Sequence, residues 1–245
     1  MTVYKVISPL ADVRGEPDTQ ALRGKIESQL NMGETFEVEE DLGDWVRGKC
    51  THDGYPGFVE KKYLSREFAA ATHVVTAQRS HIYRDDTMKS PIQHMVGMGA
   101  QLTVVEQGEK FAKLADGSYI PVQHIAPLSS REDFVAVAER MLETPYVWAG
   151  RSGLGTDCSG LVQLALARAG IATERDCDQQ ENTVGSDAAS LPRQRGDIVY
   201  FKGHVGIMVD DKNIIHANAT HMKTCVEPLD IVTARSGGVT AVRRI

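Results

Sequence analysis

The sequence has little that would point to a membrane, a secretion route or a nucleic acid. None of its apolar runs is long enough to span a bilayer. The opening stretch MTVYKVISPLADVRGEP lacks the apolar core and the small-residue cleavage site of a secretory signal. The formal net charge is -6, whereas nucleic-acid binding needs a basic patch. We therefore expect a cytoplasmic protein with no membrane partner and no nucleic-acid partner.

Cysteine and histidine are too scattered for a disulfide framework or a zinc site. The four cysteines form no C-x-x-C pair, and the eight histidines show neither H-x-x-x-H nor H-E-x-x-H spacing. Without a secretory signal, reduced thiols are the expectation. We expect no metal and no cofactor, and we interpret Cys50, Cys177 and Cys225 as packing residues. The histidines interpreted as surface or loop residues are His52, His73, His81, His94, His124 and His221.

The first half of the chain repeats itself. NMGETFEVEEDLGDW at 31–45 parallels GMGAQLTVVEQGEKF at 97–111, and GFVEKKYL at 57–64 parallels SYIPVQHI at 118–125. Short alternating strands separated by turn residues predict two small β-barrels in a chain of 245 residues. The pattern resembles bacterial SH3-like domains, which implies one such domain at 1–66 and a second at 70–128. A single larger β domain remains the alternative.

From residue 129 the pattern changes to helices followed by strands. SSREDFVAVAERMLET has a serine cap with an acidic residue three positions on, which predicts an amphipathic helix. Residues 158–169 predict a buried helix that ends at Gly170. GDIVYF, HVGIMVD, NIIHAN and VTAVRRI are typical of strands. Helices before an antiparallel sheet predict an α+β domain at 129–245.

Cys158 lies where a glycine-rich loop becomes the second helix. Asp157 is a suitable N-cap, so Cys158 would be the first helical residue. There the helix dipole favours a thiolate, and free backbone N–H groups can hold an oxyanion. Burial would instead raise the thiol pKa and make the residue a small packing group. Cys158 alone leaves both interpretations open.

Two histidines supply what a thiol nucleophile needs. His204 opens one predicted strand and His216 lies in the next, so a hairpin fixes their relation. A two-residue turn at residues 211–212 would place the rings on opposite faces, whereas a loop of three or five residues would place them on one face. We predict an odd loop, with His204 as base and His216 as the group that orients it.

Five motifs together resemble the NlpC family of papain-like cysteine peptidases. They are YVWAGRSG from Tyr146, DCSGLVQ from Asp157, GDIVYF, HVGI and IIHA, in the order of that family. The resemblance implies a papain-like α+β catalytic domain after the two all-β SH3-like barrels. It implies Cys158 as nucleophile, His204 as general base and acid, and His216 as orienting residue. Tyr146 would lie near the oxyanion. Ala149 departs from the pattern, where a second glycine is common.

The domain order resembles one branch of that family, the γ-D-glutamyl-L-diamino-acid endopeptidases. This resemblance implies a murein peptide substrate, L-Ala-γ-D-Glu-diamino acid, with a free N-terminal L-Ala and a role in cell-wall recycling. It implies that the first SH3-like domain restricts entry to the catalytic cleft to peptides with a free N-terminal L-Ala. Asp157 and Ser159 would bind the substrate ammonium, together with Tyr55 of DGYPGF and Glu16 of RGEP. Asp157 and Glu16 also have plainer interpretations, as a helix cap and a solvated turn residue.

Three other functions fit parts of the pattern. SH3-like repeats beside an inactive catalytic domain would make a wall-peptide-binding protein. A secreted hydrolase of intact peptidoglycan would use the repeats as anchors. A Cys/His amidase or acyltransferase could use the same catalytic core. The intact set of Cys158, His204 and His216 favours the peptidase.

Overall fold

The structure is a computed structural model that describes residues 2–20 and 25–245. The described residues fall into two compact units. One contains the chain up to Ser130 together with Ser152–Leu154, and the other contains Arg131–Arg151 together with Gly155–Ile245. No helix within these ranges has the length and the apolar composition needed to cross a membrane.

Seven antiparallel strands surround the first hydrophobic cluster of the N-terminal unit. They are β1 (Thr2–Val6), β2 (Leu10–Arg14), β3 (Ile26–Asn31), β4 (Thr35–Asp41), β5 (Trp45–Cys50), β6 (Pro56–Glu60) and β7 (Leu64–Ser65), with a 3-10 turn at Lys61–Tyr63. The sheet order is β3-β2-β6-β5-β4-β1-β7. Alternate residues point inward, so that Phe36 and Val38 of β4 are buried. Cys50 belongs to this core, as predicted.

A second β cluster follows in the same unit. Its strands are β8 (His73–Val75), β9 (Arg79–Tyr83), β10 (Ile92–Gly97), β11 (Gln101–Leu102), β12 (Val104–Gln107), β13 (Phe111–Leu114), β14 (Tyr119–Pro121) and β15 (Ile125–Pro127), with a 3-10 turn at Val122–His124. They form two sheets, β10-β9-β14-β13-β12 and β11-β8-β15, around a core of their own. The β-rich character of this half is therefore confirmed. The boundaries at 66, 70 and 128 stay predictions.

The C-terminal unit has the predicted α+β architecture. Its helices are α1 (Phe134–Arg140), α2 (Cys158–Ala169), α3 (Cys177–Thr183) and α4 (Leu229–Ser236). Its strands are β16 (Arg151–Ser152), β17 (Gly155–Thr156), β18 (Ser186–Asp187), β19 (Ile198–Phe201), β20 (His204–Met208), β21 (Asn213–Asn218), β22 (Lys223–Pro228) and β23 (Val239–Arg244), where β16 reaches the unit boundary. Six strands form an antiparallel sheet in the order β18-β23-β19-β20-β21-β22. Helix α2 packs against β20 and β21.

Helix α1 begins later than the sequence pattern indicates. The predicted serine cap is wrong: Asp133 is the N-cap, and its Oδ1 accepts a hydrogen bond from the Val135 N–H at 2.9 Å. The helix buries Val135, Val137 and Ala138, whereas Leu142, at the end of the predicted helical stretch, lies beyond α1 and is 38% exposed. An aspartate nearer the apolar residues replaces the serine because it reaches the first free N–H groups.

Helix α2 begins and ends as the sequence predicts. The Asp157 Oδ1 accepts a hydrogen bond from the Gly160 N–H at 2.7 Å, and Gly170 ends the helix in the left-handed region at φ 82°. Gly160 is required by close packing, because a Cβ there would lie 2.1 Å from the Gly150 carbonyl oxygen. The loop that precedes Cys158 thus packs directly against the first turn of α2.

Ala149 corrects our sequence-based interpretation of that loop. We treated alanine as an ordinary loop residue, but its φ is 64°, in the left-handed region that favours glycine. The Asp157 Oδ2 accepts a hydrogen bond from the Ala149 N–H at 2.9 Å. Because alanine in this conformation carries a backbone penalty of roughly 1–2 kcal/mol, the carboxylate holds the loop in a strained shape.

We expect Ala149→Gly to stabilise the protein by up to about 1 kcal/mol. Glycine removes the left-handed penalty, while its greater freedom in the unfolded chain offsets part of the gain. Urea denaturation of the wild type and the variant measures the difference. Ala169→Gly, inside the last turn of α2, is the matched control and should destabilise. A loss of stability in Ala149→Gly as large as in the control would contradict the strain.

Candidate active site

The nucleophile candidate lies at the first position of α2. Cys158 is 9% exposed, and its sulfur accepts a hydrogen bond from the backbone N–H of Val205, the residue after His204. The thiol also hydrogen-bonds to the thiol of Cys177. This contact, followed by burial and the nearby Asp157 charge, raises the pKa of Cys158. The sulfur therefore rests as a thiol, and a base must remove its proton when it reacts.

Cys177 is not the packing residue that the sequence analysis made it. It is the first residue of α3, it is half-buried, and its side chain contacts the nucleophile. The hydrogen bond with Cys158 lowers the pKa of Cys177. Nothing in the sequence places these two thiols together, because they are joined only through the packing of α3 on α2.

The hairpin between the two histidines has the predicted odd loop. The ladder pairs Ile207 with Ile215 and Met208 with Ile214, and the Val209 N–H donates to the Asn213 carbonyl, which leaves residues 210–212 as a loop of three. Both rings consequently lie on one face. The His204 Nε2 and His216 Nδ1 are 2.7 Å apart.

Gly206 allows close packing of the two strands that carry the histidines. When the ladder register is continued, Gly206 is itself the strand partner of His216. A Cβ on Gly206 would lie 2.9 Å from the Ile215 carbonyl oxygen. The glycine in the HVGI motif thus lets the two strands approach at the site.

A carboxylate that the sequence analysis missed continues the hydrogen-bond chain. The Glu227 Oε2 lies 2.9 Å from the His216 Nε2 and accepts a hydrogen bond from Arg235 at 2.7 Å. Arg235 holds the pKa of Glu227 down to about 2, with smaller contributions from His221 and His216. Since Cys225 pairs with His216 across β21 and β22, alternation puts Glu227 on the same face. That period of two is the signal that could have found it.

The ionised carboxylate decides where the ring protons lie. Glu227 can only accept, so His216 carries its proton on Nε2 and accepts from His204 on Nδ1. His204 then carries its proton on Nε2 and keeps an unprotonated Nδ1. Burial, followed by the charge of His216, lowers the pKa of His204 to about 4, and burial also lowers the pKa of His216. The candidate base His204 and the candidate nucleophile Cys158 are therefore both neutral at rest.

Asp157 has a buried partner that the sequence analysis also missed. The two guanidinium nitrogens of Arg175 donate to Oδ1 at 3.1 Å and Oδ2 at 2.6 Å, and Arg175 is 1% exposed. Arg175 also donates to the Ser159 Oγ at 2.8 Å. The Asp157 charge is thus balanced within the protein. Binding of a substrate ammonium by Asp157 and Ser159 stays a prediction, and it would add to an existing ion pair.

The remaining predicted residues fall in different places. Tyr146 is half-buried, and burial followed by the charges of Cys158 and Asp157 raises its pKa to about 12, so its hydroxyl stays able to donate. Tyr55 packs on the core of the first β cluster and Glu16 is exposed, both in the other unit. Their contact with substrate stays a prediction.

One group of side chains in the described ranges could hold a metal ion. The ligand atoms of His216, Cys225 and Glu227 lie within 4.8 Å of one another. Arg235 binds both carboxylate oxygens of Glu227, at 3.0 and 2.7 Å, and places a positive charge beside the same atoms. A divalent ion would have to compete with that guanidinium. The hydrogen-bond chain needs no metal for the proton transfer it supports.

Two family models match the chain. Residues 143–235 match the NlpC/P60 family, and residues 12–64 match the bacterial dipeptidyl-peptidase Sh3 domain. The chain carries an NlpC/P60 domain. Cys158, His204, His216 and Glu227 all lie inside the matched range. The Sh3 match lies within the first β cluster.

Curated relatives resemble the chain over most of its length. A gamma-D-glutamyl-L-lysine dipeptidyl-peptidase of Bacillus cereus is 29% identical, over 84% of this chain and 71% of that protein. Dipeptidyl-peptidase 6 of Lysinibacillus sphaericus is 25% identical, over 92% of this chain and 91% of that protein. A crystal structure of an NlpC/P60 family protein from Bacillus cereus has a TM-score of 0.86 at 21% identity, over 99% of both chains. That likeness shows the fold.

The acid limb of kcat/KM should lie near pH 4 rather than at the usual histidine value of 6.5. His204 acts as base only when neutral, and folding favours the neutral ring. The same shift means that its contribution to stability is complete above pH 6.5 and is lost as pH falls toward 4. Initial rates of peptide cleavage from pH 3.5 to 8 would measure the limb. An acid limb at or above the ordinary histidine pKa would contradict the buried, neutral base.

Replacing Glu227 with Gln should lower kcat of the NlpC/P60 domain about 10- to 100-fold, because the proton on His216 is no longer fixed. The acid limb should also move to lower pH, since the carboxylate charge favours protonation of His204. Glu143→Gln is the control: this exposed carboxylate pairs with Lys223, beside the same strand. A folded Glu227→Gln enzyme with the wild-type rate and pH profile would show that Glu227 does not position His216.

Proposed function

We propose that this protein hydrolyses the γ-D-Glu–diamino acid bond of murein peptides that carry a free N-terminal L-Ala. The observation that carries the proposal is the ordered set of groups in the C-terminal unit: a thiol at a helix start and a base oriented through His216 and Glu227. The name of the Bacillus cereus relative, a gamma-D-glutamyl-L-lysine dipeptidyl-peptidase, supports the choice of bond.

The first chemical step is attack by the Cys158 sulfur. His204 takes the thiol proton on its free Nδ1, and the thiolate attacks the γ-carbonyl carbon of D-Glu. As the oxyanion forms, the N–H groups at the start of α2 and the Tyr146 hydroxyl can donate to it. Because the pKa of Tyr146 is raised to about 12, the hydroxyl keeps its proton and remains a donor.

The second half of the reaction returns the proton. His204, now an imidazolium, protonates the amine of the departing diamino acid, and the C–N bond breaks. Glu227, at the far end of the hydrogen-bond chain, stabilises the positive charge on the histidine pair while it lasts. Water, deprotonated by the same His204, then hydrolyses the thioester and releases L-Ala-γ-D-Glu.

Specificity for a free amine is part of the proposal. An ammonium needs acceptors in a closed pocket, and Ser159 and Asp157 flank the nucleophile. The Arg175–Asp157 pair leaves little net negative charge at that position. A further carboxylate such as Glu16 would supply the missing charge, with the Tyr55 hydroxyl oxygen as a second acceptor. We propose that Glu16 and Tyr55, from the dipeptidyl-peptidase SH3 domain, contact the substrate.

We also propose that the second β cluster is SH3-like. The enzyme would act in the cytoplasm on recycled peptides.

Four tripeptides test this function. They are L-Ala-γ-D-Glu-diaminopimelate and L-Ala-γ-D-Glu-L-Lys, each with a free and with an acetylated N-terminus. Mass spectrometry should detect L-Ala-γ-D-Glu from the free peptides only. Equal cleavage of the acetylated forms would remove the ammonium pocket and favour a hydrolase of intact wall. No cleavage of any peptide would favour a binding protein or an acyltransferase.

Cys158→Ala and His204→Ala should each lower the rate by about a thousandfold or more, since nucleophile and base act as a unit. His94→Ala is the matched control, because His94 is an exposed histidine of the other unit. Wild-type rates in either active-site variant would end the proposed mechanism.

A further inference from the structure

Cys177 is fixed against the nucleophile by the residues on both sides of it. Arg175 donates to the Ser159 Oγ at 2.8 Å, and Gln180 donates from Nε2 to the Ser159 carbonyl oxygen at 3.1 Å. Ser159 directly follows Cys158. With its neighbours tied to the start of α2, the Cys177 thiol is held in hydrogen-bond contact with the Cys158 thiol.

The two thiols differ in how accessible and how acidic they are. Cys158 is 9% exposed and keeps its proton at rest. Cys177 is half-buried, so more of it is open to a small reagent, and its contact with Cys158 lowers its pKa. Since thiolates are the nucleophiles in thiol chemistry, Cys177 is the member of the pair that meets a small electrophile first.

We propose that Cys158 and Cys177 form a reversible disulfide when the protein meets a hydroperoxide, so that the site is a redox modification site as well as a catalytic one. The contact brings the two thiols together, and the bonds from Arg175 and Gln180 to Ser159 hold the two helix starts side by side. A disulfide needs the sulfur atoms to approach to a bond length of about 2 Å. This inference goes beyond the proposed peptidase function and does not depend on the substrate.

The atoms and electrons of the reaction balance with one hydroperoxide. The Cys177 thiolate attacks the terminal oxygen of hydrogen peroxide, the O–O bond breaks, and hydroxide leaves to give a sulfenic acid. The Cys158 sulfur then attacks the sulfenic sulfur, the S–O bond breaks, and the departing hydroxide takes a proton to become water. Two thiols are oxidised to one disulfide, and the peroxide is reduced to two molecules of water.

The disulfide has two consequences for the enzyme. It removes the nucleophile, so the oxidised protein is inactive. It also prevents further oxidation of Cys158 to sulfinic and sulfonic acids, which thiols cannot reverse. A dithiol reductant exchanges with the disulfide and returns both thiols.

Peptide mapping of the peroxide-treated protein tests the proposal. The full chain is treated with hydrogen peroxide, alkylated, digested without reduction and analysed by mass spectrometry. The expected product is a peptide pair linked through Cys158 and Cys177 that separates on reduction with dithiothreitol. Detection of the linked pair does not depend on hydrolysis of a murein peptide by the enzyme. If the proposed peptidase function fails, this test of the disulfide remains valid. Absence of the linked pair in treated protein whose Cys158 is oxidised would overturn the proposal.

Two serine variants distinguish a specific Cys158–Cys177 disulfide from general oxidation of the cysteines. Cys225→Ser is the matched control, because Cys225 is also half-buried but contacts Asn218 rather than the nucleophile. It should give the linked pair, like the wild type. Cys177→Ser should give none. Because it removes the thiol contact that raises the pKa of Cys158, the nucleophile itself should then be oxidised to sulfinic or sulfonic acid. Alkylation of Cys158 by iodoacetamide after dithiothreitol should recover fully in the wild type and to less than about a tenth in Cys177→Ser. Equal recovery in both would contradict a protective role for Cys177.

Discussion

The carboxylate of Asp157 holds three segments of the NlpC/P60 domain at one point. It caps α2 by accepting a hydrogen bond from the Gly160 N–H, and it holds the strained loop by accepting one from the Ala149 N–H. It also forms a bidentate ion pair with Arg175. A buried guanidinium would be costly without this partner, because a charge removed from water needs an equally buried opposite charge. The nucleophile therefore occupies the one position where a helix start, a loop and the segment before α3 are joined.

Arg175 also explains why the second thiol of the site is where it is. The segment that supplies the guanidinium continues directly into α3, so fixing Arg175 to Asp157 brings Cys177 to Cys158. The ion pair thus shapes both the geometry of the nucleophile and its chemical surroundings. The usual advantage of a helix start for a thiolate is outweighed here, since the hydrogen bond with Cys177, burial and the neighbouring Asp157 charge all raise the pKa of Cys158. Activation must come from the base.

The base is supported by a hydrogen-bond chain that runs from the interior toward the surface. His216 is fully buried, the Glu227 side chain is 13% exposed, and the Arg235 side chain is 33% exposed. The solvated end of the chain keeps Glu227 ionised, and the ionised carboxylate fixes the proton positions on two buried rings. A charged carboxylate near solvent in this way fixes the proton positions of a neutral base in the interior.

Local rules predicted part of this site and tertiary packing supplied the rest. The Asp157 cap, the end of α2 at Gly170 and the odd loop between His204 and His216 follow from helix capping and strand alternation over short stretches. Arg175 and Cys177 reach the site only through the packing of α3 on α2, which leaves no periodic signal in the sequence. Helix α4 was missed because its sequence LDIVTARS buries only Val232 and shows a weak apolar pattern.

The central claim is that burial keeps His204 neutral, while the hydrogen bonds through His216 to Glu227 leave its free nitrogen at Nδ1. Nitrogen-15 NMR of the histidine side chains at pH 7 measures this directly, because protonated and unprotonated ring nitrogens have distinct chemical shifts. We predict that His204 and His216 both carry their single proton on Nε2. A proton on Nδ1 of His204, or an imidazolium at that residue, would contradict the account.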